Sequence, residues 1–213
     1  MIQPIDTQDI KSLMRGILEA EARAVEAIPG TDGYAEAVRV IVSQVAEKKG
    51  KVVTSGMGKA GQIALNIATT FSSTGTPAVF LHPSEAQHGD LGLLQPDDVL
   101  LLLSNSGKTR EILELVELSR HLYSDLPIIV ITGREDSPLA ELADVTLCTG
   151  GASEVCPLGL TPTTSTTMMT VMGDVLVVAT MKAIGFSVED YARRHHGGYL
   201  GHVSSRMAAG KKS

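Results

Sequence analysis

The chain has 213 residues, 24 acidic against 18 basic, a formal net charge of −6, no tryptophan and 3% aromatic residues. An acidic chain without stacking side chains lacks the basic face and the platforms that nucleic acid requires. Cys148 and Cys156, the 2 cysteines, stand outside any CxxC spacing, which argues against a disulfide framework or structural zinc site and favours a reduced, cytoplasmic setting.

The length suits one α/β domain whose core stands without crosslinks or metals. The opening MIQPIDTQDIKSLMRG has no apolar h-region, so no secretory leader is read there. Apolar periodicity predicts helices over roughly Asp9 to Ala27 and Gly33 to Lys49. Strand-length apolar runs follow at Val52–Thr54, Pro77–Leu81, Val99–Leu103, Ile128–Thr132 and Val145–Cys148. Helical patterns separate them over Lys59 to Phe71, Thr109 to Leu122 and Pro138 to Ala143. Strands rich in Val, Ile and Leu that alternate with helices read as a parallel sheet covered on both faces.

Further on, Thr161-Pro162 resembles an N-cap followed by proline at the first helical position. It would open a long apolar helix to about Ile184, stopped by Gly185, and Ser187 with Asp190 would begin another. The apolar segment from Met168 to Phe186 is broken by Asp174, Lys182 and glycines. It makes a poor membrane span and a better core helix or subunit contact. The expected organisation is a helical segment over 1–34 packed on the domain, the domain over 35–205, and a flexible tail over 206–213 containing Lys211-Lys212.

Two loops carry the chemistry. The first strand ends in TSGMGKAG (Thr54–Gly61) and the third in SNSGKT (Ser104–Thr109). In a sheet of order 2-1-3-4-5 those strands are neighbours at the switch point, and both loops open into one crevice at helix N-termini. Ser104, Ser106 and Thr109 offer hydroxyl donors, Gly107 allows close backbone approach, and Lys108 adds charge. The first loop lacks both the full GxGxxG and the GxxxxGK[ST] patterns, so a single phosphate is expected rather than a dinucleotide or nucleoside triphosphate.

With these residues in view the chain resembles the sugar isomerase (SIS) domain family, and within it the arabinose-5-phosphate isomerases of 3-deoxy-manno-octulosonate (Kdo) synthesis. The matching stretches are GMGKAG (Gly56–Gly61), TGTPAVFLHPSEAQHGDLG (Thr74–Gly92), SNSGKTREI (Ser104–Ile112), EVCPLGLTPTTSTT (Glu154–Thr167), MGDVL (Met172–Leu176) and HHGGYLG (His195–Gly201). The resemblance implies a doubly wound, flavodoxin-like five-stranded parallel sheet in a three-layer αβα arrangement. It also implies a homotetramer with active sites at subunit boundaries and no organic cofactor. The reaction would interconvert D-ribulose 5-phosphate and D-arabinose 5-phosphate, with Kdo and lipopolysaccharide synthesis, capsule formation and a catabolic route all open as users of the product.

On the same basis the phosphate loop falls on Ser104, Asn105, Ser106, Gly107 and Thr109, supplemented by Ser55 and Gly56. The catalytic positions fall on Lys59, Glu111, Glu154 and His195, with His88 close by. Family members usually continue into a pair of CBS modules, where this sequence stops at Ser213. Control is then expected at the SIS site, for instance through inhibition by a nucleotide-activated Kdo such as CMP-Kdo. Ala60 stands where serine is common, Lys108 replaces a usual glutamate, and Arg193 to His196 depart from the typical Ser-His-Pro, which leaves His195 and His196 both open.

Carbonyl migration between C1 and C2 needs a base between adjacent carbons, a shuttle between O1 and O2, and donors for the developing oxyanion. Glu154 is assigned the carbon proton, with desolvation expected to raise its pKa and with Glu111 left open as the other candidate base. His195 suits ring opening or hydroxyl proton transfer, Lys59 suits enediolate or phosphate charge, and Glu111 suits positioning. Each also has an ordinary explanation: Glu111 satisfies a helix dipole, Lys59 is a helix-start lysine, and His195 with His196 lies in a turn. His82, Glu85, His88 and Asp90 match no established zinc spacing, and the enediol route needs no metal. The competing readings are an isomerase of another sugar phosphate, such as hexulose 6-phosphate, and a non-catalytic sugar-phosphate sensor.

Overall fold

Five parallel strands stand side by side in the order β2-β1-β3-β4-β5 in the computed structural model, which describes residues 6–210. They are β1 (Val52–Gly56), β2 (Ala78–Phe80), β3 (Val99–Ser104), β4 (Ile128–Thr132) and β5 (Val145–Cys148). The α/β fold and strand order are those expected. The lysine pair Lys211-Lys212 lies outside the described residues.

The helices in chain order are α1 (Thr7–Glu26), α2 (Gly33–Ile41), α3 (Gly58–Ser73), α4 (Pro83–Ala86), α5 (Arg110–Leu122), α6 (Pro138–Glu141), α7 (Thr164–Ala183), α8 (Val188–Ala192) and α9 (Gly198–Gly210). A 3₁₀ turn spans Asp90–Leu93. Along β3 every side chain is buried, because alternate residues enter different cores. Leu101 and Leu103 join Ile41, Ile67, Phe71, Met172 and Leu176 on one face. Leu100 and Leu102 join Ile112, Leu115, Val130 and Leu139 on the other. Each buried leucine stabilises the fold by roughly 1.5–3 kcal/mol.

Helix α7 is long and apolar enough to cross a membrane by length and composition, and half of that window is buried inside the protein. It packs on α1, α2 and α3. A Cβ on Gly173 would come within 2.5 Å of the Ile67 side chain, so this glycine sets how closely α7 and α3 cross.

Beyond shifts of one or two residues at element ends, three features differ from the sequence expectation. The second helix does not run unbroken to Lys49: Val42–Glu47 widen into a π turn, in which the Lys48 N–H reaches Ser43 O at 3.1 Å. Lys49 then takes φ +72°, and Gly50 lies so close to Asp97 that a Cβ would sit 1.9 Å from its carbonyl oxygen. Next, α7 begins at Thr164, with Thr163 rather than Thr161 at its N-cap. The carboxylate of Glu154 accepts the first-turn N–H groups, so the helix starts where that external cap can reach. Last, residues 206–210 continue α9 as helix, where a tail was expected from 206.

Candidate active site

The carboxyl ends of β1 and β3 are paired, with Gly56, the last residue of β1, opposite Leu103, one residue before β3 ends. The turns that leave them therefore open side by side. After β1, Gly56 and Gly61 touch: a Cβ on Gly56 would lie 2.8 Å from the Ala60 carbonyl, and one on Gly61 would lie 2.5 Å from Gly56 O. The glycines of this turn thus seat α3 close against the strand and bring Lys59 and Ala60 to the opening.

After β3 the loop is held by its own hydroxyls. Ser104 Oγ lies 2.9 Å from Thr109 Oγ1 and accepts the Gly107 N–H at 3.2 Å, while Ser106 Oγ accepts the Lys108 N–H at 3.2 Å. Gly107 sits at φ +60°, and a Cβ there would collide with Ser137 Oγ at 2.1 Å.

A cavity of ≈ 260 Å³ lies between these turns. Met57, Lys59 and Ala60 form one wall, and Leu103, Ser104, Asn105, Ser106 and Thr109 another. The third wall comes from the start of α7: Pro162, Ser165, Thr166 and Met169. Sequence reasoning missed this wall, although the serine and threonines of TPTTSTT were its visible signal.

The structure thus brings Lys59, Ser104, Asn105, Ser106 and Thr109 to one cavity. It leaves Ser55, Gly56, Gly107 and Glu111 out of the lining. Ser55 is buried and donates to Leu81 O at 2.7 Å, Gly56 is buried under the Ala60 backbone, and Gly107 is turned toward Ser137. Lys59 is exposed, and Glu111 is half-buried in the first turn of α5, 3.8 Å from the Arg110 guanidinium.

Glu154 sits behind the third wall. Its Oε2 accepts from Thr163 N at 2.7 Å, Thr163 Oγ1 at 2.9 Å and Ser165 N at 3.3 Å, and its Oε1 accepts from Ser165 Oγ. Desolvation pushes the pKa up, but the hydrogen bonds from Ser165 and Thr163 together outweigh it and hold the carboxyl below its ordinary value. This reverses the expected direction. The loop between Glu154 and Pro162 also carries Cys156, whose sulfur accepts N–H groups from Thr161 at 3.1 Å and Leu160 at 3.3 Å. Led by the Thr161 bond, those donors lower the thiol pKa to about 7.

The histidines lie elsewhere in this chain. His195 stacks on Tyr191 with ring centroids 3.7 Å apart, and its Nδ1 is 3.0 Å from Tyr191 O. It is outside the cavity lining, and the exposed His196 borders a different concavity, between α8 and α9. His88 is exposed just after α4, and its backbone N–H bonds Glu85 O at 2.9 Å. The Nδ1 of His82 is buried with no hydrogen-bond partner among the described residues. Among those residues no group of three or more His, Cys, Asp or Glu side chains is placed to hold a metal ion.

A parallel sheet with a hydroxyl-rich loop, a lysine and a helix N-terminus converging at its switch point defines a doubly wound α/β domain with a crevice suited to a small anion. The SIS domain profile matches residues 44–179, and the chain belongs to the SIS domain family. An arabinose 5-phosphate isomerase KdsD from Shigella flexneri is 56% identical over 153 residues, covering 72% of this chain and 46% of that protein. Its counterpart from Escherichia coli K12 is 55% identical with the same coverage. The chain therefore spans about half the length of the curated relatives it matches.

Among solved structures, a Bacteroides fragilis chain named for phosphosugar isomerisation in capsule formation is 65% identical, with a TM-score of 0.87 over 89% of this chain and 98% of that one. An Escherichia coli CFT073 protein, c3406, solved in complex with arabinose 5-phosphate, is 36% identical, with a TM-score of 0.83 over 90% of this chain and 100% of that one.

Proposed function

We propose that this chain is a cytoplasmic aldose–ketose isomerase that interconverts D-ribulose 5-phosphate and D-arabinose 5-phosphate through an enediolate. The observation that carries the reading is the single cavity in which the Ser104–Thr109 loop faces Lys59, beside a carboxylate-capped helix start. The names of the curated relatives and the sugar-phosphate complex of c3406 support the same substrate.

In this reading the phosphoryl group sits on Ser104, Asn105, Ser106 and Thr109, and Lys59 neutralises it or the enediolate. The carbon proton passes to Glu111 rather than Glu154. Glu154 is fixed behind the third wall by four donors, whereas Glu111, at the start of α5 and itself outside the cavity lining, meets only the Arg110 guanidinium at 3.8 Å among the described residues. His195 opens the cyclic aldose. Its place away from the cavity supports an assembly, a homotetramer, in which it serves a neighbouring copy's site. Ile10, Leu13, Met14 and Leu18 form an exposed apolar stripe along α1, which supports such an assembly. The product enters Kdo synthesis, and a nucleotide-activated Kdo such as CMP-Kdo occupies the same cavity as an inhibitor. The chemistry uses no organic cofactor.

The test is proton NMR of ribulose 5-phosphate incubated with the protein in heavy water. Arabinose 5-phosphate deuterated at C2 is the expected product. Folded protein that gives neither exchange nor product would overturn the reading in favour of a sugar-phosphate sensor.

A further inference from the structure

The cavity and its best-held carboxylate do not meet directly. Ser165 lines the cavity and Glu154 does not, yet the Ser165 hydroxyl donates to Glu154 Oε1. The other carboxylate oxygen is filled by Thr163 N, Thr163 Oγ1 and Ser165 N, at 2.7, 2.9 and 3.3 Å. Oε1 is therefore the oxygen with capacity left, and its link toward the cavity is the serine. Ser165 itself is 3% exposed, packed in the first turn of α7. Because its hydrogen is committed to the carboxylate, the lone pairs of Oγ remain to accept from whatever hydroxyl enters the cavity.

We propose that Ser165 and Glu154 form a hydroxyl–carboxylate relay that moves a proton between O1 and O2 of the bound sugar. The proposal rests on the isomerase reading above and adds a residue to it. Once a base has taken the C1 proton of ribulose 5-phosphate, the enediolate carries its charge on O2 and a proton on O1. To become the aldose it must lose the O1 proton, gain one at O2, and take back at C2 the proton that the base removed from C1. In the relay the substrate O1–H bond breaks as a Ser165 Oγ–H bond forms, while the proton formerly on Oγ passes to Glu154 Oε1. The reverse movement, with the intermediate's O2 as acceptor, returns Glu154 to its carboxylate and Ser165 to its hydroxyl. No electrons are gained or lost, and no other reactant is consumed.

This division of labour can be separated experimentally. An enediolate that cannot exchange its hydroxyl proton returns a proton to C1 and reverts to labelled ribulose 5-phosphate. The experiment follows ribulose 5-phosphate in heavy water by NMR with wild-type protein, Ser165→Ala, Ser165→Thr and Glu154→Gln, each checked for a cooperative melt. For Ser165→Ala and Glu154→Gln, arabinose 5-phosphate formation falls about 100-fold or more while deuterium entry at C1 stays within about threefold of wild type. Ser165→Thr, which keeps the hydroxyl, restores product.

Exchange and product falling in parallel in the folded variants, or product unaffected by Ser165→Ala, would overturn the relay while leaving the isomerase reading intact. Wild-type protein that yields neither exchange nor product would remove both. Should Ser165→Ala fail to fold, Glu154→Gln carries the same comparison.

Discussion

Lys51 and Asp98 form an ion pair at 2.6 Å below the sheet, at the end opposite the cavity. The Asp98 carboxylate is fully buried and also accepts the Lys51 N–H at 2.9 Å and the Gln95 N–H at 2.8 Å. Those bonds fix where β1 and β3 begin, and so where both carry their terminal loops. Replacing Asp98 with alanine strands a partly buried lysine and two N–H groups. Urea denaturation should show a loss of about 3–5 kcal/mol, the range for breaking one side of a buried pair. A double variant, Lys51→Met with Asp98→Leu, should cost less than Asp98→Ala alone.

Gly107 tests whether the phosphate loop depends on its seat against α6. A side chain there meets the left-handed φ of +60° and the Ser137 hydroxyl together. Gly107→Ala should displace the loop and weaken binding of inorganic phosphate, read by calorimetry, by about tenfold or more. That corresponds to the roughly 1–3 kcal/mol of strain typical of such positions.

Lys59 contributes charge at the mouth of the cavity. Lys59→Ala should lower turnover of ribulose 5-phosphate by about 100-fold, as loss of a preorganised electrostatic group does. The folding midpoint should move little, because the side chain is exposed. A large fall in the melting temperature would instead make Lys59 a structural residue.

The extent to which the sequence disclosed this arrangement depends on how local each signal is. β4 and β5 fall on the predicted residues because their runs are bounded by strand breakers or polar residues, Pro127 and Gly133 for β4 and Asp144 and Thr149 for β5. The hydroxyl loop was legible for the same reason: serines directly after a buried strand have few structural uses. The π turn at Val42–Glu47 was hidden, since its apolar spacing is that of the helix before it. Helix α9 was hidden by the glycines of HHGGYLG. The α7 wall, and the reversal at Glu154, arise from contacts between the loop after β5 and a helix start, which no periodicity encodes.

Glu154 should leave a mark on acid stability. Its folded pKa lies below the ordinary 4.5, so the ionised form is the one the fold prefers. The stability it adds is present above the unfolded value and is lost as pH falls through the folded one. Between neutral pH and the acid range, melting temperatures of Glu154→Gln should decline less steeply than those of wild type. Parallel curves would contradict the assignment.

Cys156 should react as a thiolate near neutrality. With its pKa at about 7, iodoacetamide alkylation should reach half its maximal rate near that pH. Peptide mapping after labelling across a pH series reads this directly. Removing the Thr161 N–H donor by a Thr161→Pro substitution should move the midpoint up.

The sheet tapers at both margins. β2 offers three residues and β5 four, against six in central β3. A foreign strand approaching either side finds a ladder too short to template a stable addition, so fibril growth by accretion onto the native sheet has little purchase. Any aggregation of this protein should therefore begin from unfolded chains rather than from folded ones, and its rate should track the unfolded fraction.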